Sequence, residues 1–311
     1  MPGFHLPNIG IKEKIPGREV LIDADCVAYW AAAGQDELPL RAATLRADQR
    51  MQQILAETQS EKYCGYLTGE RNFRDAVATL QRYKGNRYDA DGVRIKPQPL
   101  WLSEVRAYLI AYWGCILVDE KEADDALSTH AAQATWEVVI SSIDKDLRIN
   151  QGLHHDMNSG MLSKVEGFGE LYMSGADLKG SGLKFFCAQM LMGDQADWVK
   201  GLPAVTPWMK DMYGIARLGG CGAKAAYQVI NDMPTYDIAL FAVWQCYKDY
   251  WKDHEYIHWK TGEVFKAGID TAYKQFLEQG RLLWMQQAHN EIWTPPVHIL
   301  KDYIKDKDES S

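Results

Sequence analysis

The chain has 311 residues, 47% hydrophobic and 24% charged, with a formal net charge of −8. That is the balance of a soluble globular protein with room for one or two domains, and it argues against an ordinary basic nucleic-acid binder. No apolar run is long enough for a membrane span, the N-terminus lacks the features of a signal peptide, and six scattered cysteines without a C-x-x-C pair read as reduced core residues of a cytoplasmic protein.

Residues 1–18 are rich in Gly and Pro and read as an irregular leader. Strand-like runs then alternate with helical ones. Strands are expected over 19–22, 63–68, 116–118 and 137–141, with another over 171–173. Helices are expected over 41–58, 102–113 and 123–134, with Ser103 as the N-cap of the second. Such alternation implies crossover connections and a mostly parallel central sheet flanked by helices. From about residue 183 the pattern changes to helices and glycine loops.

Acidic residues follow these strand-like runs. Asp23 and Asp25 follow Val20-Leu21-Ile22. Glu122, Asp124 and Asp125 follow Ile116-Leu117-Val118. Asp144 and Asp146 follow Val138-Val139-Ile140, and Asp194 and Asp197 come later. Ligands of open α/β sheets gather beyond the carboxyl ends of the strands. A carboxylate cluster there repels itself unless cations neutralise it, and all-oxygen donors suit hard ions such as Mg²⁺ or Mn²⁺. Two metals in such a site point to phosphodiester hydrolysis.

Between residues 71 and 96, Arg71, Arg74, Arg82, Lys84, Arg87, Arg94 and Lys96 interleave with Phe73, Tyr83 and Tyr88. Cations neutralise phosphates and aromatic faces stack on unpaired bases; the plainer alternative is a solvated helix and loop. Gly219-Gly220-Cys221-Gly222-Ala223-Lys224 fails the P-loop pattern, yet glycines and a lysine at a helix start suit a phosphate, or simply close helix packing. His254-Glu255-Tyr256-Ile257-His258 matches H-E-x-x-H, with Glu278 downstream as a possible third zinc ligand. Its surroundings read as a β-hairpin instead, which separates the two histidines.

Six segments in order resemble the flap endonuclease and 5′→3′ exonuclease family, particularly phage exonucleases and the 5′-nuclease domain of bacterial DNA polymerase I. They are Leu21-Ile22-Asp23-Ala24-Asp25, Asn72-Phe73-Arg74 with Tyr83-Lys84-Gly85-Asn86-Arg87, Glu122-Ala123-Asp124-Asp125, Ser142-Ile143-Asp144-Lys145-Asp146-Leu147, Gly193-Asp194-Gln195-Ala196-Asp197 and Gly220-Cys221-Gly222-Ala223-Lys224. The resemblance implies an α/β PIN-like 5′-nuclease core over 19–182, including a helical arch over 71–113. A helical DNA-binding region over 183–311 would contain a helix–three-turn–helix element.

It further implies two Mg²⁺ ions, replaceable by Mn²⁺. Asp23, Glu122 and Asp124 would hold the first, and Asp144, Asp146 and Asp197 the second. Asp125 and Asp194 would support them, and Glu70 would stand where the family has an aspartate. Lys84, Arg87 and Arg74 would act at the scissile phosphate. Arg71, Tyr83, Gly220, Gly222 and Lys224 would contact DNA, with K⁺ in the helix–three-turn–helix. The implied activity is 5′→3′ exonuclease and 5′ flap endonuclease action by a monomer on DNA with free 5′ ends or flaps, and on RNA–DNA hybrids. It would lie in the cytoplasm, a host's if phage-encoded, and serve replication and primer removal. The alternatives are a catalytically impaired DNA-binding protein of this fold and a PIN-type ribonuclease. A segment containing Trp208 and Tyr213 interrupts the family's glycine loop.

Overall fold

The computed structural model describes residues 13–217 and 219–310, with side chains through residue 305. In chain order the elements are β1 (Ile15–Asp23), α1 (Ala24–Ala32), α2 (Leu40–Thr58), β2 (Ser60–Thr68), α3 (Arg74–Val77), α4 (Leu102–Trp113), β3 (Ile116–Val118), α5 (Ala123–Gln133), β4 (Val138–Ser142), β5 (Gly152–Asp156) and β6 (Met161–Val165). They continue with β7 (Leu171–Ser174), β8 (Asp177–Gly180), α6 (Gly182–Met192), α7 (Pro207–Tyr213), α8 (Ala223–Ile230), α9 (Tyr236–Trp251), β9 (Tyr256–Ile257), β10 (Val264–Phe265), α10 (Ile269–Leu283) and α11 (Lys301–Ser310). Two compact units result. The first runs to Glu70 and resumes over Gln98–Leu147 and Gly152–Lys164; the second takes Arg71–Pro97, Arg148–Gln151 and the chain from Val165 onward.

The first unit is a six-stranded sheet of order β3-β2-β1-β4-β5-β6, and the pairs β3–β2, β2–β1, β1–β4 and β4–β5 are parallel. Central β1 explains the architecture. Val20 and Ile22 pack into one core with α1, α2 and α4, while Leu21, pointing the other way, packs with Leu127 of α5 and Ile140 of β4. Alternate residues of an extended chain face opposite sides, so a strand apolar on both faces needs helices on both. The mostly parallel α/β sheet is as expected.

The boundaries differ in places. Residues 15–18, read as leader, belong to β1: Ile15 donates to the Gln59 carbonyl (2.8 Å), and a register shift between Ile15 and Glu19 absorbs Pro16-Gly17. Residues 13 and 14 precede β1 without regular structure, and residues 1–12 of the leader lie outside the described residues. Ser103 does not cap α4. The helix already begins at Leu102, and the Ser103 hydroxyl turns to Glu104 (2.8 Å).

The second unit packs α6, α8, α9 and α10 around a core rich in aromatics, among them Phe186, Trp244, Tyr247, Phe276 and Trp293. The strand expected over 171–173 forms an antiparallel hairpin with β8 outside the main sheet. The expected helical arch is largely not helical. Within Arg71–Pro97 only the four residues of α3 and a short 3-10 turn, Gly85–Arg87, are helical. Two turns that a helix cannot contain interrupt it: Lys84 and Gly92 take left-handed backbone, at φ 51° and 78°. Ala78 and Tyr83 join the core of this unit, and α4, expected to close the arch, belongs to the first unit.

Candidate active site

In the first unit, acids cluster where four adjacent strands end. Asp23 is the last residue of β1 and the N-cap of α1. Its carboxylate accepts the Cys26 backbone N–H (3.1 Å), the Cys26 thiol (2.8 Å) and the Ser142 hydroxyl (2.8 Å). Ser142 ends β4, so this last bond stitches the ends of two neighbouring strands together. The Ser142 hydroxyl accepts the Asp144 N–H (2.9 Å), and the Asp144 carboxylate accepts the Asp146 N–H (2.8 Å). That chain of turns holds both acids at the mouth of β4.

Glu122 caps α5 in a reciprocal box with Asp125, and Ala123 N–H donates to the Thr68 hydroxyl at the end of β2 (2.9 Å). Asp25 accepts the Thr68 N–H (2.8 Å) and pairs with Arg106 of α4. A second Arg106 nitrogen reaches the Thr68 carbonyl. Thr68 therefore ties β2, α1, α4 and α5 together. Asp124 is half-buried and Asp125 fully buried. Glu70, two residues past β2, is exposed.

The charge in this cluster is poorly solvated. Burial, opposed by the Cys26 and Ser142 hydrogen bonds and reinforced by the neighbouring Asp25 charge, pushes the Asp23 carboxyl up to about 6. Burial and the charges of Asp23 and Asp124 push the Cys26 thiol far above its usual range, so it stays a donor. Among the described residues, no three His, Cys, Asp or Glu side chains are arranged as a ready metal cage. Asp25 is drawn to Arg106, Asp146 to Lys145 (3.0 Å) and Asp125 to the Glu122 N–H (3.2 Å). The donor set still fits a hard cation. It offers only oxygens, it contains a buried carboxylate whose charge is met by hydrogen bonds rather than by a cation, and Mg²⁺ takes few protein ligands and several waters.

In the second unit, Asp194 and Asp197 shape a loop after α6. Gly193 (φ 73°) and Gly201 (φ 66°) let the two arms of this loop approach closely; a Cβ on Gly193 would meet the Val199 carbonyl oxygen at 2.3 Å. Buried Asp194 accepts from Ala196 N–H (2.7 Å) and Gln189 (3.2 Å). Asp197 meets the Tyr83–Arg87 loop. Its carboxylate accepts from the Tyr83 hydroxyl (2.7 Å) and lies 3.4 Å from Lys84 Nζ and 3.3 Å from Arg87 Nη2, while its carbonyl accepts the Lys84 N–H (2.9 Å). The sequence motifs Tyr-Lys-Gly-Asn-Arg and Gly-Asp-Gln-Ala-Asp are thus one constellation.

Arg74 does not fit its expected place at the phosphate. It is fully buried, and its guanidinium donates to the carbonyls of Leu282 (3.0 Å) and Trp284 (2.6 Å). A buried guanidinium needs acceptors, and these backbone oxygens supply them. Arg71, by contrast, is exposed. Gly220, Gly222 and Lys224 are exposed at the start of α8, and a Cβ on either glycine would meet nothing within 4 Å, so internal packing does not require them. The interrupting segment is the excursion α7, closed by a Val205 N–H to Gly219 carbonyl bond (2.7 Å). The H-E-x-x-H match is a hairpin, as expected. His258 Nδ1 accepts from Lys260 N–H (3.1 Å), and His254 stacks on Tyr250.

Sequence reasoning missed Thr68, Cys26, Ser142 and Arg106 as parts of the site. Ser142 and Cys26 sit within or beside the acidic motifs and were within reach. Arg106 lies mid-helix, 81 residues from Asp25, and carries no local signal.

No protein-family model matches the sequence, and no curated protein matches it significantly. Solved structures do. A T5 5′-exonuclease structure with bound zinc is similar over 86% of each chain, at 15% identity and a TM-score of 0.48. A T5 protein co-crystallised with metal ions is similar over 86% of this chain and 100% of its own, at 13% identity and a TM-score of 0.47. A bacteriophage T5 flap endonuclease in a pseudo-enzyme–product complex with DNA and metal ions covers 86% and 99%, at 13% identity and a TM-score of 0.45.

Proposed function

We propose that this chain is a divalent-metal-dependent nuclease that hydrolyses DNA phosphodiesters, as a 5′→3′ exonuclease and 5′ flap endonuclease. The observation that carries the reading is the row of carboxylates at the ends of adjacent parallel strands, with Asp23 buried and carrying poorly compensated charge. Asp23, Glu122, Asp124, Asp144 and Asp146 would hold the ions, with Asp125 fixing Glu122 through the helix cap. Bound divalent ions supply charge neutralisation at the phosphate and an activated water.

The protein's own part is positional and electrostatic. Ser142 and Cys26 hold the Asp23 carboxylate, and Thr68 and Arg106 hold Asp25. In the second unit, Lys84 and Arg87 supply cationic donors for charge developing on phosphoryl oxygens. Arg71, Gly220, Gly222 and Lys224 would contact the DNA strand; Tyr83, expected among them, is only 4% exposed and gives its hydroxyl to Asp197, so it would hold the loop rather than meet DNA. Free 5′ ends, flaps and RNA–DNA hybrids are the substrates of this reading, as in primer removal.

The test is the purified protein on a 5′-labelled flap, a nicked duplex and an RNA–DNA hybrid, with Mg²⁺, Mn²⁺ or EDTA. Release of short 5′-phosphorylated products in Mg²⁺ and none in EDTA is expected. Tight flap binding with no cleavage in either metal would instead make the protein a structure-specific DNA binder.

A further inference from the structure

The last eighty residues carry none of the acidic motifs, yet they supply the partners of one short stretch of backbone. Glu278 of α10, only 5% exposed, accepts the N–H groups of Thr79 (2.8 Å) and Leu80 (2.9 Å) and the Thr79 hydroxyl. The Gln275 amide donates to the same carboxylate (2.8 Å). Trp259, just past β9, completes the set: its indole N–H donates to the Ala78 carbonyl (2.9 Å) and its backbone N–H to the Thr79 carbonyl (3.0 Å). The Tyr256 hydroxyl lies 3.1 Å from Thr79 Oγ1. Four successive backbone groups, from the Ala78 carbonyl to the Leu80 N–H, are thus satisfied by α10 and the β9–β10 hairpin.

A carboxylate suits this place for a chemical reason. It accepts on both oxygens and donates nothing, so it can face several N–H and O–H donors at once. Lys84 lies only four residues beyond Leu80 and takes a left-handed backbone at φ 51°, a conformation that persists only where surroundings fix it. On its far side the loop rests on the Asp194–Trp198 turn, through Lys84 N–H and Asn86.

We propose that Glu278 and Trp259 are positioning residues that fix the 78–80 base from which Lys84 and Arg87 are presented to a substrate phosphate. The proposal rests on the nuclease reading above. It gives the C-terminal region a task in the chemical step rather than in substrate capture alone. Displacement of a catalytic group by about 1 Å costs on the order of a hundredfold in rate, and loosening this base would move both cations together.

Two full-length variants test it. Glu278→Gln turns an amide donor toward N–H donors, and Trp259→Phe removes the indole bond while keeping the ring. Hydrogen exchange is read along the chain, single-turnover flap cleavage at saturating enzyme in Mg²⁺, and flap affinity in EDTA. We expect exchange to accelerate in 79–97 and not across α6 or α9, cleavage to slow by roughly tenfold to a hundredfold, and affinity to change by less than about threefold. Unchanged exchange over 79–97 in both variants overturns the clamp. Faster exchange there with a wild-type cleavage rate overturns its catalytic importance, and loosening spread equally over the whole unit reduces both residues to ordinary stability. If Glu278→Gln fails to fold, Trp259→Phe decides. If the wild-type protein cleaves nothing, the nuclease reading fails while the exchange measurement still judges the clamp.

Discussion

Replacing Arg74 separates two roles that its motif leaves open. Its side chain is fully buried and donates through Nε to the Leu282 carbonyl and through Nη2 to the Trp284 carbonyl. Arg74→Ala strips a charged donor from both oxygens. Each unpaired buried carbonyl costs about 1–3 kcal/mol, and the vacated side-chain volume adds a cavity cost. The two carbonyls alone come to about 2–6 kcal/mol, which for a unit of this size lowers the unfolding midpoint by on the order of 10 °C. Arg74→Lys should lose about half as much, because one ammonium can serve one carbonyl well but lacks the planar fork that serves two. Thermal unfolding followed by circular dichroism measures this, with DNA affinity recorded below the transition. A midpoint unchanged in Arg74→Ala, accompanied by a hundredfold loss of cleavage, would refute the burial argument and return Arg74 to the phosphate.

Asp146→Ala should abolish cleavage while leaving flap affinity in EDTA nearly intact, since one carboxylate fewer weakens metal binding but also lessens repulsion of phosphate; near-wild-type turnover in Mg²⁺ would remove Asp146 from the site. Lys84→Ala should slow single-turnover cleavage by on the order of 10²-fold, with a much smaller loss of affinity; an unchanged rate would leave Lys84 a surface charge. His155 is buried, bonded to Ser141 (2.9 Å) and Glu57 (3.0 Å), and burial depresses its pKa despite the Glu57 charge. The folded state therefore favours neutral imidazole. Its stabilising contribution is complete above the unfolded value of about 6.5 and is lost as pH falls through the lower folded value, by at most about 1.4 kcal/mol per pH unit. Denaturant titrations between pH 7 and 5 should show a flatter profile for His155→Gln, and parallel profiles would exclude this histidine as the source.

Elements whose pattern is local were legible from sequence. The buried run Val20-Leu21-Ile22 specified a strand covered on both faces, and 116–118 and 102–113 were placed to the residue. The placement of Asp23, Asp25, Asp144, Asp146 and the acids of 122–125 beyond strand ends was legible too, because the strand pattern fixes it, whereas Asp194 and Asp197 fall after α6 in the second unit. The resemblance implied a helical arch over 71–113, but residues 71–97 are largely not helical, and their backbone at 78–80 is held by Glu278 and Trp259, about two hundred residues onward in the chain. Arg74 shows the same limit. Its charge signalled a ligand, and only tertiary structure reveals that carbonyls enclose it. Arg106 is the converse, an ordinary helical arginine that becomes part of the site only when α4 folds against the ends of β1 and β2.

The dependence of Ala78, Thr79 and Leu80 on α10 and the hairpin has a practical consequence for dissecting the chain. A cut near residue 182, where helices begin to dominate the sequence, looks like a natural place to free a minimal catalytic fragment. Such a fragment would retain Arg74 but surrender both carbonyls that receive it, and it would leave Thr79 and Leu80 without the carboxylate that answers their N–H groups. Its early loop would be the first casualty, although that loop lies far upstream of the cut. Inactivity of the fragment would therefore say nothing about whether the missing half touches substrate. A cleaner dissection would remove Arg71–Pro97 together with the chain from Val165 onward and bridge Glu70 to Gln98, because apart from the short Arg148–Gln151 link the sheet's own segments are then the ones kept.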